Sequence, residues 1–314
     1  MTGRRLASLW GEPFDTALRD ALPDVDLVPV SGTLADVPAG ISMLAAAPFK
    51  RVDGRFPPRP DGWPFDLRWV QLMTVGFDLY PDWMFDGPVV TSARGTSAVG
   101  LAEFALAAIL AAAKRIPDIW IDSPDQWVAA PLDILNGRTL GIFGFGAVGQ
   151  RLAPIAVALG MNVLAVRRSD QPIAQPGVVR AASVQELFER SDHLVLAAPG
   201  TSATARLVNA DLLATAKPGL HLINIARGTL IDNDALLQAL DEGRLSRASL
   251  DVTSPEPLPP GHPYYRHPRV YLSPHTAAYT PDTVGNIAAQ LARNMDLFER
   301  GAPLENIVDL DRGY

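Results

Sequence analysis

Six residues near the middle of the chain, Gly144-Phe145-Gly146-Ala147-Val148-Gly149, admit few folds. They come straight after an apolar run, residues 139–143, and lead into a helical pattern that starts at Ala147. A strand that turns sharply into a helix through glycines at this spacing presents its first helical amides, here those of Ala147 and Val148, at the positive end of the helix dipole. Gly144 permits the tight turn, Gly146 lets backbone approach a ligand closely, and Gly149 lets the helix pack on the strand. The ligand suited to such a turn is a pyrophosphate. A coincidental glycine turn would explain the glycines but not the strand before them or the helix after them. Pro154 falls inside the expected helix, where the lost donor costs about 3 kcal/mol unless the helix bends. A kink after the first turn is therefore expected.

The surroundings extend the pattern. Apolar runs at 139–143, 163–167, 194–198, 220–225, 248–252 and 270–272 are six strand candidates, with helical stretches at 183–190, 209–216 and 233–242 between them. Six strands joined by crossovers make a doubly wound parallel sheet of the dinucleotide-binding kind. Upstream, runs at 6–10, 27–30, 41–46, 68–73 and 89–91, with a helical stretch at 14–22, form a second α/β unit, interrupted by a Pro-rich loop at 57–64. An almost uninterrupted apolar helix at 98–115 separates the two, followed by a loop holding Pro117, Pro124 and Pro131. An amphipathic helix at 281–300 closes the chain. At 314 residues there is room for two cores.

Composition excludes several classes of function. Hydrophobic residues make up 48% and charged residues 19%, so the chain folds rather than staying disordered. Lys and Arg number 27 against 34 Asp and Glu, a net charge of −7 with no basic run beyond a pair, which argues against nucleic acid as a partner. Cysteine is absent, which removes disulfides, thiolate metal sites and a cysteine nucleophile, and fits a reducing, cytoplasmic setting. No run is long enough to span a membrane or serve as a signal peptide.

Candidate chemistry collects just after the strands, where ligands bind in open α/β sheets. At Arg167-Arg168-Ser169, 23 positions beyond Gly144, two guanidiniums and a hydroxyl stand where an acid would read the ribose of NAD. Planar, charged forks there suit a 2′-phosphate and point to NADP, with NAD left possible through nearby Asp170. Farther on come Arg227, Glu256 and His275, each in a loop after a strand. Singly they read as a surface ion-pair partner, a loop carboxylate and a satisfied loop histidine. Together they are an anion anchor, an orienting carboxylate and a proton carrier. His193 and His221 open apolar strands and read as structural, while His262 and His267 read as solvated in a Pro-rich loop. No pair of histidines has metal-ligand spacing, so no metal is expected. Trp120 and Trp127 are expected to pack in the core or at an interface.

In this order the motifs resemble those of the D-isomer-specific 2-hydroxyacid dehydrogenases, glyoxylate and hydroxypyruvate reductases among them. The likeness runs over most of the chain and is strongest at 140–280: the glycine hexapeptide, Arg-Gly-Thr-Leu-Ile-Asp at 227–232, Asp-Val with Glu-Pro-Leu-Pro at 251–259, and Ser-Pro-His at 273–275. The resemblance implies two Rossmann-like α/β domains. One is a doubly wound nucleotide domain at 99–285, and the other a smaller flavodoxin-like substrate domain at 1–98 completed by 286–314, with a cleft between them and a hinge where the chain crosses twice. It also implies three catalytic residues, Arg227 as binder of the substrate carboxylate and carbonyl, His275 as acid/base and Glu256 as its partner. Pro199, Ala226 and Asp251 would stand at the cofactor. Thr74-Val75-Gly76-Phe77-Asp78 matches a loop whose amides, those of Val75 and Gly76, hold the substrate carboxylate.

The expected activity is NADP(H)-linked interconversion of a small 2-keto acid and its 2-hydroxy acid, in a homodimer. A cofactor-sensing binding protein of the same fold is the alternative. Two positions depart from the family: Arg167 replaces the frequent acid, and Gly200 stands after Pro199 where a bulkier apolar residue is common.

Overall fold

The computed structural model describes residues 4–31, 33–169 and 171–313. The chain divides into two compact units, Met1–Ser97 with Thr280–Tyr314, and Ala98–Tyr279. Residues 280–285 thus pack with the first unit rather than with the second.

In the first unit, β1 (Arg5–Ser8), β2 (Asp26–Pro29), β3 (Met43–Ala46), β4 (Trp69–Leu72) and β5 (Val89–Thr91) form a wholly parallel sheet in the order β2-β1-β3-β4-β5. That is the flavodoxin-like order. The central strands β3 and β4 are buried on both faces, as parallel sheets require, and are apolar but for Gln71, whose side-chain amide is paired with Leu72 O and Thr91 Oγ1. Helix α1 (Phe14–Ala21) covers one face through Leu18.

The second unit opens with α2 (Ala98–Ala113) and continues with β6 (Thr139–Phe143), α3 (Ala147–Ala158), β7 (Asn162–Val166), β8 (Val178–Arg180), α4 (Val184–Arg190), β9 (His193–Leu196), α5 (Ala210–Ala214), β10 (Leu220–Asn224), α6 (Asn233–Asp241), β11 (Leu245–Leu250) and β12 (Val270–Leu272). All seven strands run parallel in the order β12-β11-β10-β9-β6-β7-β8. The order reverses at β6, beside β9, and the glycine hexapeptide leaves the C-terminal end of β6 at that switch point. Strand β8 is not among the six expected. It is three residues at the sheet edge, with Val179 58% exposed, too short for any periodicity to register. Helix α7 (Thr283–Glu299) returns to the first unit, where Ile287, Ala288, Leu291 and Met295 pack against Leu6, Leu18 and Trp69. Its buried Asn294 donates to Glu305 O at 3.1 Å and accepts from Glu305 N at 2.7 Å, pinning the chain beyond the helix.

Four expectations need correction or sharpening. Helix α3 continues as one helix, Ala147–Ala158, with Pro154 inside it. The carbonyl that Pro154 leaves without its helical donor, Gln150 O, lies 3.4 Å from the side-chain amide of Gln175. His267 is not solvated: its Nε2 lies 3.2 Å from Asp241 Oδ1, and its Nδ1 accepts from Arg269 N at 3.1 Å. Ring Nδ1 of His262 likewise caps a short helical turn by accepting from Tyr264 N at 3.3 Å. Trp120 and Trp127 are 69% and 81% exposed and so lie outside the core of their own chain. Asp170 lies outside the described residues. Among the described residues no helix is long and apolar enough to cross a membrane, and no group of three acids or histidines is placed to hold a metal.

Candidate active site

The second unit builds a continuous band of loops over the C-terminal ends of its strands. It begins with the glycine turn, which is docked on β7 by Gly144 N and Phe145 N donating to Val166 O at 3.0 and 3.2 Å. Gly144 has φ +101°, and a Cβ there would stand 2.5 Å from Ala198 N, so no other residue fits. The turn is thereby pressed against the loop of Pro199 after β9. Gly146 is the N-cap of α3; no side chain caps the helix, and a Cβ at Gly146 would meet nothing within 4 Å. Ala147 is exposed and Val148 half-buried, while Gly149 is buried against the strand. An uncapped helix N-terminus opening onto free space behind a turn whose one side chain, Phe145, is buried is what a pyrophosphate requires, so the residues present fit a dinucleotide. At the end of β7, Arg167 is half-buried and Arg168 and Ser169 are exposed.

The loop after β10 carries Ala226 and Arg227. Buried Asn224 sets its shape: its Oδ1 accepts from Ala226 N at 3.1 Å and its Nδ2 donates to Arg227 O at 2.9 Å. Arg227 is half-buried, and its Nη1 donates to Ala226 O at 2.8 Å. A Cβ on the next residue, Gly228, would lie 1.9 Å from the carbonyl carbon of Thr253, so the Arg227 loop touches the loop that carries Glu256. Asn233 holds that second loop by donating from Nδ2 to Ser254 O at 2.7 Å.

The third loop follows β12. His275 Nδ1 lies 2.6 Å from Glu256 Oε1, with both side chains about two-fifths exposed (44% and 40%). The ring thus donates Nδ1–H to the carboxylate, which fixes its plane and leaves Nε2 facing out with no hydrogen bond among the described residues. His275 has φ +50°, a left-handed conformation that a non-glycine residue keeps only when its surroundings impose it. Asp251 does so. Its buried carboxylate accepts from Ser273 Oγ at 2.6 Å, Thr276 N at 3.0 Å and Ala277 N at 3.1 Å, while Asp251 O accepts from His275 N at 2.9 Å. Asp251 therefore holds the histidine's turn, a role that sequence spacing does not reveal. Asn224 and Ser273 were missed for the same reason, since each acts only through backbone brought near by the fold.

In the first unit, the loop after β4 is fixed by Tyr80, whose OH accepts from Met73 N and donates to Ala46 O, both at 3.2 Å. Thr74 Oγ1 donates to Gly76 O at 2.5 Å. The amides of Val75 and Gly76 have no acceptor among the described residues.

Residues 106–277 match the family described as D-isomer specific 2-hydroxyacid dehydrogenase, NAD binding domain. A glyoxylate reductase of Aeropyrum pernix is 35% identical over 256 residues, 77% of this chain and 76% of its own length. A glyoxylate/hydroxypyruvate reductase A of Serratia proteamaculans is 36% identical over 219 residues, 68% of each chain. Among solved structures, a D-isomer specific 2-hydroxyacid dehydrogenase of Xanthobacter autotrophicus in complex with NADPH and MES superposes with a TM-score of 0.82 at 26% identity, over 100% of both chains. An NADPH-dependent glyoxylate/hydroxypyruvate reductase of Sinorhizobium meliloti in complex with NADP and sulfate gives 0.80 at 26% identity, again over 100% of both. On the family match over 106–277 and on relatives of this identity and coverage, the chain belongs to the D-isomer specific 2-hydroxyacid dehydrogenases, NAD(P)-dependent oxidoreductases.

Proposed function

We propose that this chain reduces a small 2-keto acid of the glyoxylate or hydroxypyruvate kind, with NADPH as the preferred cofactor. The observation that carries the reading is the 2.6 Å contact between His275 Nδ1 and Glu256 Oε1, which leaves Nε2 free to work. Bound NADPH supplies a hydride for the carbonyl carbon. Arg227 grips the substrate carboxylate as a planar fork. Protonated His275 gives its Nε2 proton to the carbonyl oxygen as charge develops there, while the bond from its Nδ1–H to Glu256 holds the ring in place. In oxidation the same nitrogen accepts the proton. The amides of Val75 and Gly76 are donors suited to a carboxylate within the first unit.

Loss of NADPH absorbance with a panel of glyoxylate, hydroxypyruvate, pyruvate and bulkier keto acids tests the reading, and turnover with the small ones is expected. Tight NADPH binding without turnover on any of them would instead favour the sensing protein.

NADPH preference rests on Arg167, half-buried at the end of β7, with Arg168 and Ser169 beside it. The two structural neighbours that hold NADPH or NADP support the same choice. Charge-assisted bonds to a 2′-phosphate at this exposed edge favour NADPH by about tenfold, the low end of such contacts. The double variant Arg167→Asp, Arg168→Ala should therefore weaken NADPH far more than NADH. Equal Kd values for the two cofactors in the unmodified protein at low salt would defeat the assignment.

We also propose a homodimer contact on the segment after α2, where Trp120, Trp127, Val128 and Ile134 are 69%, 81%, 76% and 61% exposed, beside a helix whose one charged residue is Glu103. Light scattering should give twice the chain mass, falling to one chain in Trp120→Glu, Trp127→Glu.

A further inference from the structure

Gly200 is the departure from the family pattern that the proposed chemistry leaves unused, and its surroundings give it a role. A Cβ built at Gly200 would lie 3.0 Å from Arg227 Cγ, 3.1 Å from Arg227 Cβ and 3.0 Å from Thr229 Oγ1. Its φ is not left-handed, so a side chain here meets a steric obstacle and no backbone strain. Something must give by a few tenths of an ångström, and the neighbouring bonds decide what.

The glycine's own loop is braced. Thr204 Oγ1 accepts from Thr201 N at 2.8 Å and donates to Pro199 O at 2.8 Å, closing residues 199–204 on themselves. On the other side the backbone of Arg227 is held by both ends of the Asn224 amide, and Gly228 is wedged against Thr253. Two fixed backbones thus flank one flexible stem. Arg227 Cβ is tied to that backbone, so the contact is relieved by turning Arg227 Cγ about the Cα–Cβ bond, which carries the guanidinium with it and disturbs its bond to Ala226 O.

We propose that Gly200 is a positioning residue for Arg227: by carrying no side chain it leaves the channel in which the Arg227 stem lies, and so sets where the guanidinium meets the substrate carboxylate. This rests on the reading of Arg227 as the carboxylate grip. Gly200 touches neither substrate nor hydride path in this account. A larger residue at 200 would shift the fork, and a misplaced fork weakens carboxylate binding while leaving hydride and proton transfer intact once substrate is bound.

The test uses the full chain with NADPH bound. KM for glyoxylate and kcat are measured by turnover, and the Kd of oxalate, a carboxylate probe that does not react, by equilibrium titration. Gly200→Ala should raise KM and oxalate Kd together by roughly fivefold to twentyfold, and Gly200→Leu by more, with kcat within about twofold and NADPH Kd unchanged. In an Arg227→Ala background, which removes the crowded Cγ and the charge, Gly200→Ala should cause no further loss of oxalate affinity. Unchanged oxalate binding in Gly200→Ala, a parallel loss of NADPH affinity, or penalties that multiply in the Arg227→Ala background would each overturn the proposal. If Arg227→Ala itself binds oxalate normally, the reading of Arg227 fails first and takes the proposal with it.

Discussion

Two contacts built on histidine sit at opposite ends of the seven-stranded sheet, and they use the imidazole in opposite ways. Beyond the C-terminal ends, His275 faces a carboxylate at 2.6 Å with its ring 44% exposed. At the N-terminal ends of β9 and β10, His193 and His221 face each other, Nδ1 to Nδ1, at 3.1 Å, and His221 Nε2 continues to Ser249 Oγ at 2.9 Å. These two rings are 9% and 2% exposed. Burial pushes His193 down to about 4, against the opposing pull of Asp192 and Asp133 and with Arg138 adding to the fall. Burial also holds His221 well below the ordinary range, helped by His193 and Arg247. The buried pair is thus neutral, one ring donating and the other accepting. One residue type is exposed beside an anion with one nitrogen left over, the arrangement that the proposed proton transfer needs, and elsewhere serves as a polar tie between strands.

Replacing His275 breaks the comparison if it is wrong. His275→Ala should lower kcat about 100-fold or more, as loss of a general acid does, with the melting midpoint little changed. Turnover near the unmodified rate at neutral pH would remove the distinction between the two ends. Glu256→Gln sharpens it. The amide keeps the shape of the side chain but removes the anion that accepts from Nδ1–H at 2.6 Å and fixes the ring, so kcat should fall about tenfold, less than in His275→Ala, with the melting midpoint little changed. An unchanged kcat would separate Glu256 from the working ring.

The smallest effects belong to the buried pair. His193→Gln should leave kcat within about twofold and destabilise by roughly 1–3 kcal/mol, the cost of disturbing a buried hydrogen bond. Acid should act in a defined direction. Both rings bind protons less readily folded than unfolded, so between the ordinary value of 6.5 and about 4 the unfolded chain carries more protons. Stability is therefore full above that window and lost as pH falls through it. The midpoint of thermal unfolding should drop from pH 7 to pH 5, and less steeply in His193→Gln. A flat profile in the unmodified protein would mean that these rings are not the buried, neutral groups described.

Much of the nucleotide-binding unit was legible from local patterns. The runs at 139–143 and 270–272 coincide with β6 and β12, because apolar stretches between turn residues need no partner to be recognised. Strand β11 begins three residues earlier than expected, at Leu245, because its first residues alternate with exposed Ser246 and become a strand by pairing with β10. Strand β8 was invisible for the same reason: its three residues are ordered by pairing with β7.

Of the candidate site, residue types, loop order and placement after strands could be read from the chain alone, since a strand–turn–helix and its glycines are written within a few neighbouring positions. The tertiary structure decided which groups meet. It put Glu256 rather than another acid on His275, committed the carboxylate of Asp251 to the turn around that histidine, and laid the stem of Arg227 beside Gly200. Each of these contacts joins loops that follow different strands, and so depends on strand order and on how closely two backbones approach. Short-range periodicity carries neither.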